Sequence, residues 1–347
     1  MKPQAFPRRL MAQGSIAYAA LILLAAASAI LAGCSGGPPG VPAAATKKIR
    51  IAVIPWPASA SIYIAQEKGY FRDEGLEATL KDYPSGNIGL ADLLAGKADF
   101  GVAADTPIAR AAVNGKPVVV VGTVCVIERP NLIVARKDRG ISTAGDLRGK
   151  RIGMVAGSSA EFYLHIYLTT SYIHPKSVRL VDLPPDRVVH ALLNGEVDAV
   201  STWAPHTTAL QDKLGTNGVI LHDPGLYNMS WNIVSSKDIA RRDPEAIVRF
   251  LRAILRADRM IAERPGEALA ITAKKCAMDM AAVEREWRNC EFRTQLDQTL
   301  ILNLEDQSRW MIGKKSDGDG KTPNILDYIH TKGLSAVNPE AVRIVSE

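Results

Sequence analysis

The chain alternates short apolar, β-branched runs with helical runs that end at glycine, and it does so twice. Lys48 to Ile54 reads as a strand, Ile62 to Lys68 as a short helix closed by Gly69, and Glu77 to Tyr83 as a second strand. A helix from about Ile88 to Leu94 ends at Gly96, and Ala98 to Ala103 reads as a buried strand. Strands separated by helices build βαβ units, so the pattern predicts an α/β protein with a mainly parallel sheet covered by helices on both faces. The same grammar returns in Lys150 to Val155 (strand), Ala160 to Tyr172 (helix), Ser177 to Leu183 (strand), Arg187 to Leu193 (helix) and Ala199 to Thr202 (strand). Leu93-Leu94-Ala95-Gly96-Lys97-Ala98-Asp99 and Leu192-Leu193-Asn194-Gly195-Glu196-Val197-Asp198 share Leu, Leu, Gly and Asp at matching places. Each reads as a helix end capped by a left-handed glycine and followed by a strand, which predicts two similarly built lobes.

From Pro244 onward the alternation stops. Ile247, Val248, Leu251, Ile254 and Leu255 recur at helical spacing within Ala246 to Ala262, and Ala281 to Arg288 and Thr299 to Met311 continue as helices. The C-terminal third is therefore expected to form a helical layer on one lobe. Of the 347 residues 47% are hydrophobic and 22% charged, enough for a substantial core. Beyond the first three dozen residues no apolar run approaches the roughly 20 residues needed to span a bilayer, which excludes a multi-pass membrane protein.

The N-terminal segment explains much of the charge. Lys2, Arg8 and Arg9 precede an apolar stretch from about Ser15 to Ile30, the pattern of a secretory signal peptide. No acid lies before Cys34, so the rest of the chain carries 39 Lys+Arg against 36 Asp+Glu, or +3, and shows no basic stripe of the kind nucleic-acid binding requires. Leu31-Ala32-Gly33-Cys34 resembles the lipobox of bacterial lipoproteins, which implies lipidation of Cys34; the other readings are an uncleaved anchor helix or a chance cysteine. Ser35-Gly36-Gly37-Pro38-Pro39-Gly40-Val41-Pro42 and the alanines behind it suit a flexible tether, so the folded body is expected to begin near Lys47. Removing Cys34 leaves Cys125, Cys276 and Cys290. Cys276 and Cys290 could pair, or all three could be free buried thiols. Neither these cysteines nor the six histidines show metal-ligand spacing, and no metal or cofactor is expected.

Ligands of open α/β sheets bind beyond the carboxyl ends of the strands. Four segments there open helices: Pro55-Trp56-Pro57-Ala58-Ser59-Ala60-Ser61, Ser85-Gly86-Asn87, Asp105-Thr106-Pro107 and Gly157-Ser158-Ser159. Each helix start exposes unpaired N–H groups and the positive end of a dipole, and several converging would seat an anionic head group without a lysine. Taken singly, each is equally an ordinary N-cap. Trp56 and Trp203 follow strands in different lobes and could wall a pocket, or be core residues. Asp105 could neutralise a ligand amine or merely cap its helix. The chain holds no Gly-x-Ser-x-Gly elbow, Walker loop or dinucleotide fingerprint. Glu161 and His165, four apart on one helical face, read as a surface contact, and His206 follows Trp203-Ala204-Pro205.

Four segments, taken in order, carry a family resemblance. They are Ile64-Ala65-Gln66-Glu67-Lys68-Gly69-Tyr70-Phe71-Arg72-Asp73-Glu74-Gly75-Leu76; Leu94-Ala95-Gly96-Lys97-Ala98-Asp99-Phe100-Gly101; Asp146-Leu147-Arg148-Gly149-Lys150-Arg151-Ile152-Gly153 leading to Gly157-Ser158; and Gly195-Glu196-Val197-Asp198-Ala199 followed by Trp203 and Pro205. Over about Ile49 to Arg264 the chain resembles the periplasmic substrate-binding proteins of ABC importers for nitrate, taurine, aliphatic sulfonates and thiamine precursors. The resemblance implies an α/β, two-lobed periplasmic-binding-protein fold of type II with two hinge crossovers, near Val126–Asn131 and Met229–Ser235, and a helical C-terminal layer. Placed on this chain, residues 1–33 are the lipoprotein signal peptide, 34–48 the tether, 49–127 and 235–347 lobe one, and 128–234 lobe two.

The implied function is that of a lipid-anchored, extracytoplasmic monomer. It would close on a small anionic solute and deliver it to an ABC permease with a cytoplasmic ATPase. The implied ligand-contacting positions are Trp56, Pro57, Ser59, Ser61, Ser85, Gly86, Asp105, Thr106, Gly157, Ser158, Ser159 and Trp203. Relatives often have glycine where Ala58 stands, so the backbone approach to a ligand there differs. Enzymes share the fold, including one that builds the thiamine pyrimidine with a cluster of cysteines and histidines; no such cluster occurs in this sequence. A ligand sensor for a signalling partner would share the same pocket.

Overall fold

The computed structural model describes residues 46–314 and 321–345; the expected signal peptide, Cys34 and most of the expected tether lie outside the described residues. The body, Thr46–Glu347, is one compact unit. Its first half follows the predicted alternation: β1 (Lys47–Val53), α1 (Ala60–Glu67), α2 (Tyr70–Asp73), β2 (Leu76–Asp82), α3 (Gly86–Leu94), β3 (Phe100–Ala104), α4 (Asp105–Val113) and β4 (Val118–Ile127). The middle comprises β5 (Leu132–Arg136), β6 (Arg151–Met154), α5 (Ser159–Thr170), β7 (Arg179–Asp182), α6 (Val188–Leu193), β8 (Ala199–Thr202), α7 (His206–Leu214) and β9 (Gly218–Leu221). Then come β10 (Met229–Ser236), α8 (Lys237–Arg242), α9 (Pro244–Glu263), α10 (Pro265–Cys276), α11 (Met280–Trp287), β11 (Cys290–Asp297), α12 (Gln298–Lys314), α13 (Thr331–Val337) and β12 (Val342–Arg343).

These strands form two sheets, a seven-stranded one in the order β12-β11-β4-β10-β3-β1-β2 and a five-stranded one in the order β7-β6-β8-β5-β9. The chain passes between them twice, after Ile127 and after Leu221. Met229–Ser235, where the resemblance places the second crossing, lies within strand β10 of the seven-stranded sheet.

Both sheets are mixed, which corrects the expectation of a mainly parallel sheet. β1 pairs in parallel with β2 and β3, and β6 with β7 and β8, as βαβ units require. Yet β10 runs antiparallel to β3 and β4, and β5 antiparallel to β8 and β9. These antiparallel strands carry the chain between the sheets and back, so no crossover helix precedes them and the alternation does not reveal them. The C-terminal third is likewise more than a helical layer. Its β11 joins the sheet antiparallel to β4, and β12 pairs with β11.

The echoed motif has one structural meaning in both sheets. Gly96 and Gly195 take φ of 72° and 74°, ending α3 and α6, and the aspartate three residues on meets an arginine of the neighbouring strand. Asp99 binds Arg50 of β1, and Asp198 binds Arg151 of β6, each through the arginine's backbone N–H and its guanidinium. Beneath the seven-stranded sheet Phe250 of α9 stacks on Phe100 at 4.1 Å and meets Phe71 at 5.0 Å. Val134, Val188, Leu192, Val200 and Leu210 form the smaller core of the five-stranded sheet. Cys125, Cys276 and Cys290 are free thiols.

Candidate functional site

A cavity of about 260 Å³ lies beyond strand ends of both sheets. From the seven-stranded sheet it takes Ile54 and Trp56 after β1, Tyr83 to Asn87 after β2, Ala104 and Pro107 at the end of β3, and Met229 and Trp231 of β10. From the five-stranded sheet it takes Val155, Ser158 and Ser159 after β6 and Trp203 to His206 after β8.

Four α-helices start on this cavity, α3, α4 (N-cap Ala104), α5 and α7 (N-cap Pro205), and two of them start at a serine. Ser85, extended at φ −158° and ψ 157°, is the N-cap of α3, and Ser158, at φ −96° and ψ 167°, is the N-cap of α5. Neither side chain caps its own helix, so the first-turn amides keep no side-chain partner at either cap. Ser158 Oγ instead donates to the Val155 carbonyl at 2.7 Å, and Ser159 Oγ to Asn131 Oδ1 at 3.3 Å. Asn87 Nδ2 donates to the Gly157 carbonyl at 3.4 Å, linking the two helix starts. Gly157 has φ of 72° and donates its N–H to Glu161 Oε2 at 2.7 Å. That glycine lines a second cavity, with Arg110, Trp310 and Lys314.

Several other sequence-derived candidates do not line the cavity. Pro57 and Ser59 form a buried turn behind Trp56. Ser59 Oγ donates to the Ile54 carbonyl at 2.9 Å and accepts the Trp231 indole N–H at 3.3 Å, so it supports the wall without being part of it. Ser61 donates to Asp258 of α9 at 2.7 Å. Asp105 and Thr106 are fully buried. The Asp105 carboxylate accepts the Thr106 N–H at 2.8 Å, the Ser230 N–H at 3.3 Å and the Tyr227 hydroxyl. Burial pushes its carboxyl up while those donors pull it down, so Asp105 is spent inside the fold.

Among the lining residues that sequence reasoning did not assign to the site are Tyr83, His206, Met229 and Trp231. Met229 and Trp231 share one face of β10, a signal that depends on recognising that strand. Among the described residues lining the cavity none carries a formal charge, and burial holds His206 below its ordinary value. The Trp56 indole N–H is buried without a partner among the described residues. Taken together, aromatic rings, converging helix starts and unspent N–H donors can hold a small solute by hydrogen bonds and ring contact.

The family model described as NMT1/THI5 like matches residues 56–268. A putative aliphatic sulfonates-binding protein of Bacillus subtilis is 28% identical over 293 residues, spanning 83% of this chain and 87% of its own. A 4-amino-5-hydroxymethyl-2-methylpyrimidine phosphate synthase of Legionella pneumophila is 25% identical over 218 residues, 61% of this chain and 68% of its own. Among solved structures, the alkanesulfonate-binding protein of Xanthomonas axonopodis pv. citri bound to MOPS aligns with a TM-score of 0.70 at 23% identity, covering 83% of this chain and 99% of that one. The two-sheet architecture and the match over residues 56–268 place the chain in the NMT1/THI5-like family, with the two-lobed periplasmic-binding-protein fold.

Proposed function

We propose that this chain is the extracytoplasmic solute receptor of an ABC importer and captures an organic anion of the sulfonate class between its lobes. The observation that carries this reading is the pair of helix starts, Ser85-Gly86 from one sheet and Ser158-Ser159 from the other, at one uncharged cavity. N–H groups at helix starts stabilise an anion without a cationic side chain. A solute bound by both sides favours the closed arrangement by its differential affinity for it. Trp56 and Trp203 complete the seat. A lipid on Cys34 would tether the mature chain to a membrane, and the tether would let the monomer reach its permease and ATPase. Support for the solute class comes from the sulfonate-binding relative and from the sulfonate-binding structural neighbour.

Ser85 offers a clean test, because aspartate and asparagine both serve as N-caps and only aspartate brings a charge. Calorimetric titration of the full chain with sulfonates should show Ser85→Asp binding at least tenfold more weakly, about 1.4 kcal/mol, while Ser85→Asn stays close to the native chain. Equal affinity in all three proteins would remove the anion seat.

A further inference from the structure

Four large rings, Trp56, Tyr83, Trp203 and Trp231, line the cavity beside aliphatic Ile54, Val155 and Met229. Trp56 and Trp231 meet edge to face, their centroids 5.3 Å apart and their planes at 75°, and both are buried. Ser59 anchors the Trp231 indole N–H at 3.3 Å, and Asp92 anchors the Tyr83 hydroxyl at 2.7 Å, so these two rings are not free to swing across the space. From the other sheet comes Trp203, which is only partly buried and meets His206 edge to face at 5.7 Å. Rings fixed by packing cannot close down on a thin alkyl chain, whereas a planar ring offers them its faces and edges. Charge narrows the choice again. A zwitterion would carry an ammonium into a cavity where, among the described residues, no carboxylate lines the wall to meet it.

We infer that the solute is an aromatic monoanion of the arylsulfonate type, with its ring held between Trp203 and the Trp56–Trp231 wall. This rests on the reading of the cleft as an organic-anion receptor and adds the class of body that the anion carries.

The test is titration of the full chain, purified in dodecyl maltoside, with naphthalene-2-sulfonate, 1-butanesulfonate, taurine and glycine betaine. Naphthalene-2-sulfonate is expected to bind at least tenfold more tightly than 1-butanesulfonate, and taurine more weakly than either. Trp203→Leu should cut that preference to threefold or less, and Trp203→Phe should keep most of it. Melting curves of the unliganded variants separate loss of binding from loss of fold, because Trp203 also packs against the core of the five-stranded sheet. Butanesulfonate or taurine binding as tightly as the aromatic probe would overturn the ring assignment and leave the anion receptor standing. Tighter binding of glycine betaine would show an aromatic cage for a quaternary ammonium and overturn this inference together with the anion seat. Failure of all three sulfonates to bind would do the same.

Discussion

Serine, threonine and aspartate at strand ends divide by what they are spent on. Ser61 and Asp105 look in sequence like Ser85 and Ser158, because all stand near helix starts after strands. The difference is the partner that tertiary packing brings: Asp258 from α9 takes Ser61, and Tyr227 and Ser230 take Asp105. No local pattern can announce partners from 125 or 197 residues away. His206 shows the same lesson from the opposite side, since its neighbourhood with Trp203 was visible and its place on the cavity wall was not. Burial depresses His206 and also His165, His222 and His330. A histidine whose folded pKa is depressed lends stability that is fully present above the unfolded value of about 6.5 and is lost as pH falls through the folded value. Melting temperature should therefore decline on acidification below about pH 6.5, with each unit of depression costing about 1.4 kcal/mol once pH lies below both values. Calorimetric melts from pH 8 to 5 should show a shallower decline for His206→Gln; identical profiles would mean that His206 stays solvated.

At the scale of elements, the parallel units were legible and the antiparallel strands were not. Strand, helix and glycine recur in order through β2, α3 and β3 and again through β7, α6 and β8, because each unit must cover its sheet with the helix that links its strands. β4, β5 and β10 lack that signature, and β11 sits among helices, so their pairing depends on the rest of the sheet. The echoed Leu-Leu-x-Gly-x-x-Asp is a helix stop followed by an aspartate that clasps an arginine on the neighbouring strand, in both sheets. Gly157 shows how much one turn governs. With φ of 72° it takes a left-handed conformation that an L side chain enters at a cost of about 1–2 kcal/mol. A Cβ there would also lie 1.9 Å from Arg110 Nη1, which a flexible guanidinium relieves only by moving. Gly157→Ala is thus expected to lower stability by about 1–2 kcal/mol in urea unfolding and to weaken sulfonate binding, because the turn aims the start of α5. A variant as stable as the native chain would show that the turn relaxes freely.

In the whole molecule, one C-terminal helix ties the two sheets together. α12 packs along α4 on the side of the seven-stranded sheet, while Trp310 meets Phe162 at 5.3 Å and His165 at 5.8 Å on α5. Lys314 closes this contact on the buried Glu161 carboxylate, which also holds the Gly157 N–H. The helix start at the cavity is thereby coupled to a residue 153 positions away. Lys314 is about half exposed, so solvent screens the pair, and Lys314→Ala should cost on the order of 1 kcal/mol. Glu161 would remain buried with, among the described residues, the Gly157 amide as its hydrogen-bond partner, so scanning calorimetry should show a lower melting temperature that added salt does not restore. An unchanged melting temperature would make the contact incidental.

The sequence by itself determined the α/β class, the two-lobed plan, the glycine stops and the helix starts, because each is written in contacts only a few residues long. Trp56, Ser85, Gly86, Ser158, Ser159 and Trp203 lay within that reach as members of strand-end turns. Only the tertiary structure decided which of those turns meet at one cavity, that β10 contributes Met229 and Trp231 to it, and that Asp105 and Ser61 serve the interior. Convergence depends on how two mixed sheets pack and on which distant side chain reaches a polar group first. Local periodicity carries no information about either.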